Sequence, residues 1–286
     1  MRIRKAVLPV AGLGTRILPA TKVVPKELLP LVDKPTLQYI VEEAVEAGIE
    51  EIIFVTSHSK HAIEDHFDRF SELEQTLERK GKKKELAAVR RPQELAKFMA
   101  VRQSEPLGLG HAILCAREAV GDEPFAVLLG DEITPCLPKM LEVFEKYQTS
   151  VLALFQTPRE QISSYGIASV EEKEPYIYQV KDLVEKPSIE EAPSDLAVAG
   201  RYIVTPDIFP ILERTKPGRG GEIQFTDALL EQAHQGKCYG IHYTGSRLDM
   251  GTPLGLLTTS IELGLQHPEI GPALREYIKG VVQRQR

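Results

Sequence analysis

The sequence predicts an α/β fold, a mixed, mainly parallel sheet flanked by helices, followed by a smaller β-rich lobe. Three observations carry this expectation. Strand-like and helix-like segments alternate through the first half of the chain, the arrangement of a parallel sheet covered on both faces. The first apolar segment runs straight into a glycine turn, Gly12-Leu13-Gly14-Thr15-Arg16. Beyond about Tyr165 the helical periodicity gives way to β-rich segments.

Each element has a local reason. Ala6–Val10 is a compact apolar strand. Leu37, Ile40, Val41, Ala44 and Val45 fall on one face of a helix over Thr36–Ala47, which Gly48 ends. Glu51–Thr56 reads as a buried strand and Ile63–Phe70 as helical. The basic run Arg79–Lys84 follows Glu72, Glu74 and Glu78, the charge order of a solvated helix end. Leu109–Val120 is amphipathic and entered from Gly108, Phe125–Leu129 is a buried strand closing at Gly130-Asp131, and Val151–Phe155 repeats the theme. Gly166–Val170, Tyr176–Val184 and Ala197–Val204 form the β-rich lobe, expected to close one side of a cleft. Thr226–Ala233 is helical, Cys238–Tyr243 is a strand, and Pro253–Leu265 is a helix that Thr252 can cap with Pro253 in its first turn.

Composition narrows the function classes. A chain of 286 residues, 42% hydrophobic, can bury a large core. A net charge of -6 argues against nucleic acid as a partner. Three dispersed cysteines, Cys115, Cys136 and Cys238, suggest a reducing compartment and no metal cluster. The N-terminal apolar run is too short for a signal sequence, and no segment reaches the length of a membrane span. A cytoplasmic protein is expected.

The glycine turn exposes successive backbone N–H groups, and Arg16 and Lys26 put two positive charges beside it. Taken alone, a Gly-x-Gly turn fits a ligand-free connection equally well. A dinucleotide fingerprint fails, because Ile17 stands where a third glycine is needed and Pro19 and Pro25 prevent a helix from opening there. The P-loop spacing is absent too. Asp131 and Asp249 both follow strands, and if those ends converge they could share one Mg²⁺; either aspartate alone is more often a cap or turn residue. Gln103, before the glycine-rich entry Leu107-Gly108-Leu109-Gly110, could read a base edge, while Gly108 would let the base approach; taken alone, the segment fits a loop with a helix cap equally well. Glu185 and Lys186 could hold a sugar hydroxyl and its phosphate, although a Glu-Lys pair before proline is by itself usually surface. His58, His61 and His66 do not share one helical face for zinc.

These motifs, taken together and in order, resemble the bacterial UTP–glucose-1-phosphate uridylyltransferases, also called UDP-glucose pyrophosphorylases. The likeness runs nearly end to end: AGLGTR with LPATK and PKE, VDKPTLQYIVEEA, IEDHFD, RQ-x-x-PLGLGHA, a GD at a strand end, YG, VEKP, GRY, GGEIQFTDA and R-x-D-x-G. The resemblance implies a Rossmann-like sheet of the nucleotide-diphospho-sugar transferase type in one domain, with a nucleotide-binding core at about 1–160, a β-rich sugar-phosphate lobe carrying the second metal ligand at about 161–250, and C-terminal helices at about 251–286. It implies that Ala11, Gly12, Gly14, Glu27, Gln103 and Gly108 hold the uridine nucleotide, Glu27 and Gln103 facing the uracil edge. Arg16, Lys26 and Lys186 would act on the phosphates, Gly166, Glu185 and Lys186 on the sugar, and Asp131 and Asp249 would ligate Mg²⁺. Departures are VVPKELLP, Glu132 after the metal aspartate, and Met250 within R-x-D-x-G.

The implied reaction is in-line attack of a glucose 1-phosphate oxygen on the α-phosphorus of UTP, giving UDP-glucose and pyrophosphate. Self-association, with a contact through Gly271–Val282, is also implied. The nearest rival is a transferase of the same fold using dTTP or another sugar 1-phosphate; the more distant one is a non-catalytic nucleotide-sugar sensor.

Overall fold

The computed structural model describes residues 2–284; Met1, Gln285, Arg286 and the side chain of Arg219 lie outside the described residues. The chain begins β1 (Lys5–Pro9), α1 (Thr36–Glu46), β2 (Glu51–Thr56), α2 (His61–Phe67), α3 (Ser71–Arg79), α4 (Lys83–Arg90) and β3 (Lys97–Arg102). It continues α5 (Leu109–Cys115), α6 (Arg117–Val120), β4 (Phe125–Leu128), α7 (Leu137–Tyr147) and β5 (Ser150–Gln156). Then come β6 (Gly166–Glu174), β7 (Ile177–Glu185), β8 (Leu196–Val204), α8 (Ile208–Arg214), α9 (Phe225–His234), β9 (Cys238–His242), α10 (Pro253–Gln266) and α11 (Gly271–Arg284).

Nine strands form one mixed sheet in the order β3-β2-β1-β4-β8-β5-β9-β7-β6. The ladders β3–β2, β2–β1, β1–β4 and β5–β9 are parallel. Those made by β8 with β4 and β5, and by β7 with β9 and β6, are antiparallel. Side chains alternate across the pleat, so Ala6 and Leu8 point into one core while Val7 points into the other. Leu37, Ile40 and Val41 of α1, with Leu137 and Met140 of α7, cover the first face. Ile113, Phe209 and Phe225 of α5, α8 and α9 cover the second. The result is the three-layer arrangement expected for a sheet buried on both sides.

Most of the expected elements are present within a residue or two. Gly48 stops α1 with φ 94, a left-handed conformation that suits glycine. The Thr252 hydroxyl accepts the Gly255 N–H at 3.1 Å and Pro253 opens α10. The structure also corrects the β-rich lobe. Ala197–Val204 was expected there, but β8, which contains it, crosses the middle of the main sheet, antiparallel between β4 and β5. β6 and β7 pair as a hairpin that extends the same sheet. The expected helix Leu109–Val120 is two, divided at Ala116.

Candidate active site

The strand order reverses at β1. From β1 the chain moves outward to β2 and β3, then returns to place β4 on the opposite side of β1. In an open α/β sheet such a switch point opens a crevice beyond the carboxyl ends of the strands. Here those ends carry the glycine turn after β1 and Asp131 after β4. The flanking strands add Gln103, whose N–H donates to the Thr56 carbonyl at 2.8 Å.

No helix opens from the glycine turn. Three single turns of 3₁₀ helix follow instead, at Thr15–Ile17, Ala20–Lys22 and Lys26–Leu28, as Pro19 and Pro25 require. Ala11, at the mouth of the turn, is half-buried. Gly14 needs to be glycine for internal reasons: its φ is 66, and a Cβ would stand 3.3 Å from that of Thr21. Gly12 has no such reason. Its φ is not positive, and an added Cβ would meet nothing within 4 Å. The open side of the turn is free for a ligand.

Lys26 returns to this opening and donates to Asp131 Oδ2 at 2.5 Å, while Arg16 reaches the same oxygen at 3.9 Å. Burial alone would raise the Asp131 carboxyl; the Lys26 ammonium, helped by Arg16, overcomes it and holds the group below the usual aspartate value. A cavity of about 170 Å³ lies here, lined by Gly14, Thr15, Arg16, Ile17, Lys26 and Gly251. It has the size and charge for an anionic group.

Asp249 arrives from the far end of the sheet. Leu248–Asp249 pairs antiparallel with Glu132–Ile133, setting Asp249 opposite Glu132, and Met250 donates its N–H to the Asp131 carbonyl at 2.8 Å. The two aspartates therefore converge. Oδ1 of Asp249 accepts the Gly251 N–H at 2.8 Å, and Oδ2 lies 3.6 Å from Arg247. Two carboxylates of this kind offer the hard oxygen donors that Mg²⁺ prefers, so the donor set fits the ion.

The remaining nominated residues fall into two groups. On one side, Glu27 is almost fully buried, with Oε2 accepting from Lys60 at 2.8 Å. Burial pushes Glu27 up and Lys60 down, and their ion pair opposes both shifts. Gln103 donates to the Gly108 carbonyl at 3.0 Å and lies 3.1 Å from His111 Nδ1. Gly108 has φ 94, and a Cβ there would come within 2.7 Å of Glu222 Cβ. Its glycine is explained by packing on the Glu222–Ile223 segment.

On the other side, Glu185 Oε2 accepts the Thr226 hydroxyl at 2.6 Å, and Lys186 Nζ lies 3.2 Å from Glu185 Oε1. A Cβ on Gly166 would stand 3.2 Å from Glu185 Oε2. Lys186 has φ 46, uncommon for a non-glycine residue, and its N–H donates to the Tyr165 carbonyl at 3.0 Å. The sharp backbone turn brings Gly166, Glu185 and Lys186 together.

Sequence reasoning missed several supports. Arg201 is wholly buried, binds both oxygens of Glu43 at 2.8 Å, and donates to the Glu132 carbonyl at 2.6 Å. It thereby anchors the segment that carries Asp131. The GRY motif was its one sequence signal. Thr226 lay within GGEIQFTDA without a role of its own, and Lys60 had no signal. A larger cavity, about 970 Å³, lies between α1, α2, α4 and the end of α10 and contains none of the nominated residues.

Comparison with known proteins identifies the chain's relatives. Residues 5–263 match the nucleotidyl transferase family model. A UTP–glucose-1-phosphate uridylyltransferase of Bacillus subtilis (strain 168) is 50% identical over 288 residues, covering 99% of each chain. A crystal structure of UDP-glucose pyrophosphorylase complexed with UDP-glucose is 44% identical with a TM-score of 0.84, over 93% of this chain and 100% of that one. A UTP-bound UGPase from Acinetobacter baumannii is 42% identical with a TM-score of 0.89, over 97% and 99%. The chain belongs to the nucleotidyl transferase family, among its UTP–glucose-1-phosphate uridylyltransferases.

Proposed function

We propose that this cleft transfers uridylyl from UTP to glucose 1-phosphate by direct in-line attack of the sugar phosphate on the α-phosphorus, releasing pyrophosphate and leaving UDP-glucose. The supporting observation is the convergence of Arg16, Lys26, Asp131 and Asp249 on an open glycine turn at the sheet's switch point.

The backbone of Ala11, Gly12 and Gly14 receives the nucleotide. Glu27 and Gln103 address the uracil edge, each already oriented, Glu27 by Lys60 and Gln103 by Gly108 and His111. Arg16 and Lys26 clamp the triphosphate. Gly166, Glu185 and Lys186 seat the sugar and its phosphate, Thr226 fixing the Glu185 carboxylate. Both reactants are anions, so cations arranged in advance lower their repulsion and stabilise the charge that builds on the α-phosphoryl oxygens. Asp131 and Asp249 would hold Mg²⁺, which when bound supplies further positive charge to the phosphates. Lys26 then has two tasks: it pairs with Asp131, and it supplies positive charge to the phosphates of a bound nucleotide.

By this assignment about 1–160 serve the nucleotide, about 161–250 bring the sugar site and Asp249, and about 251–286 form the C-terminal helices. We place the chain in the cytoplasm; among the described residues no helix is long and apolar enough to cross a membrane. Self-association through Gly271–Val282 is supported by Tyr277 and Val282, which are exposed on α11, and light scattering tests it. The decisive assay is pyrophosphate release from UTP, glucose 1-phosphate and Mg²⁺. Absence of release with these and with other nucleotide and sugar pairs removes the proposed function.

A further inference from the structure

Arg247 belongs to none of the roles above, yet it touches the supports of both halves of the site. Its guanidinium lies 4.0 Å from the centre of the Phe155 ring and 5.0 Å from that of Tyr165. One nitrogen donates to Glu132 Oε2 at 2.7 Å and lies 3.6 Å from Asp249 Oδ2. Both terminal nitrogens reach the Tyr165 hydroxyl at 3.4 Å. The other Glu132 oxygen accepts the Thr134 hydroxyl at 2.6 Å, so the carboxylate facing Arg247 cannot rotate freely.

Each contact leads to a different part of the cleft. Glu132 follows Asp131 in sequence and faces Asp249 across the two-residue ladder. Tyr165 precedes Gly166, and its carbonyl fixes the turn at Lys186. Phe155 and Tyr165 meet edge to face, their centroids 5.2 Å apart, and a planar guanidinium lying against both rings has its direction set by these contacts as well as by charge, which an ammonium cannot reproduce. Nε is buried with no partner, so the side chain accepts a polar cost to keep this pose.

We propose that Arg247 is a positioning residue that couples the metal aspartates to the sugar-phosphate corner. Through Glu132 it keeps the Asp131 and Asp249 strands in register, and through Tyr165 it fixes the corner that seats the sugar phosphate. Glu132 occupies most of its charge, which leaves Asp249 Oδ2 available to a cation. The inference rests on the proposed metal-assisted transfer.

The test compares wild type with Arg247→Met, Glu132→Gln and the double variant, each checked for folding by circular dichroism. Mn²⁺ binding in the presence of UTP is followed by the electron paramagnetic resonance signal of free Mn²⁺, and KM for each substrate is measured separately. Partners standing behind metal ligands typically contribute about 10–100-fold in affinity. Arg247→Met is therefore expected to weaken Mn²⁺ binding about tenfold or more and to raise KM for glucose 1-phosphate more than KM for UTP. Glu132→Gln, which releases Arg247 toward Asp249, also weakens Mn²⁺. The double variant is no worse than Arg247→Met, because both act through one contact. If Arg247→Met does not fold, Arg247→Lys is read in its place, with the same loss of Mn²⁺ affinity expected. A folded Arg247 variant with wild-type Mn²⁺ affinity and unchanged KM for glucose 1-phosphate overturns the inference, as do fully additive losses. Wild type that neither binds Mn²⁺ with UTP nor releases pyrophosphate overturns the proposed function instead.

Discussion

Replacing Arg201 by methionine tests how the Asp131 segment is held. The side chain is wholly buried and makes two hydrogen bonds to Glu43, one to the Glu132 carbonyl, one to that of Gly200 at 3.1 Å and one to that of Leu129 at 3.4 Å. Methionine fills much of the volume but leaves the buried Glu43 carboxylate without a counter-charge. Breaking one partner of a buried pair costs about 3–5 kcal/mol, a large part of the roughly 5–15 kcal/mol that holds a domain together. Replacing both partners, in Arg201→Met/Glu43→Leu, removes the stranded charge and leaves only the carbonyls short of donors. That double variant is expected to regain about 2 kcal/mol or more. Urea unfolding with an unchanged m-value reads both numbers. The native fraction of Arg201→Met is also expected to lose turnover, since Leu129 and Glu132 bracket Asp131. A loss below about 1 kcal/mol, the scale of an exposed pair, would refute the reasoning. So would a double variant no more stable than the single.

Other expectations follow from the same geometry. Gly12→Ala keeps the wild-type urea midpoint, since its Cβ meets nothing, but weakens UTP binding in calorimetry; unchanged affinity would remove the glycine turn from the nucleotide site. Gly14→Ala, by contrast, costs about 1–2 kcal/mol of stability from its left-handed φ. Lys26→Ala or Asp131→Ala lowers turnover by roughly 10²-fold or more, the loss typical of one preorganised charge contact, measured by pyrophosphate release. In Lys26→Met the burial of Asp131 acts with less opposition, so its pKa moves from below the usual aspartate value to above it, which NMR titration of the carboxyl carbon detects. In wild type the depressed Asp131 contributes stability above its unfolded value of about 4, lost as pH falls through the lower folded value; in Lys26→Met acid stabilises instead.

Much of the core was legible because its strands are continuous apolar runs, as in β2 and β4, whose residues are almost all buried. β3 was missed: Lys97 and Arg102 bound an edge strand whose side chains are exposed or half-buried, which leaves no clear period. The Leu137-Pro138 start of α7 reads as a break, although proline in a first turn sacrifices no helical N–H. β8 looked like part of a separate lobe because local pattern carries no information on which strand a segment pairs with. At the site, motif order nominated Lys26, Asp131 and Asp249. The pairs Glu43–Arg201 and Glu132–Arg247 bring together residues 158 and 115 positions apart, and their register exists only once the sheet is built.

The placement of β8 also sets an order of assembly. β4 lies between β1 and β8, and β5 between β8 and β9. A growing chain that has completed β5 therefore owns two largely apolar strands, with the strand that belongs between them still missing. The missing strand ends at Val204, 76 residues after the end of β4 at Leu128, an interval of about 4–15 s at usual synthesis rates. During that time the open edge of Phe125–Leu128 is a template for pairing with other chains. Fragments ending before Leu196 should aggregate, and those ending after Val204 should gain solubility, a boundary that sedimentation of stalled or truncated chains would reveal. The strand that bears Arg201 is the one whose arrival joins the two halves of the sheet.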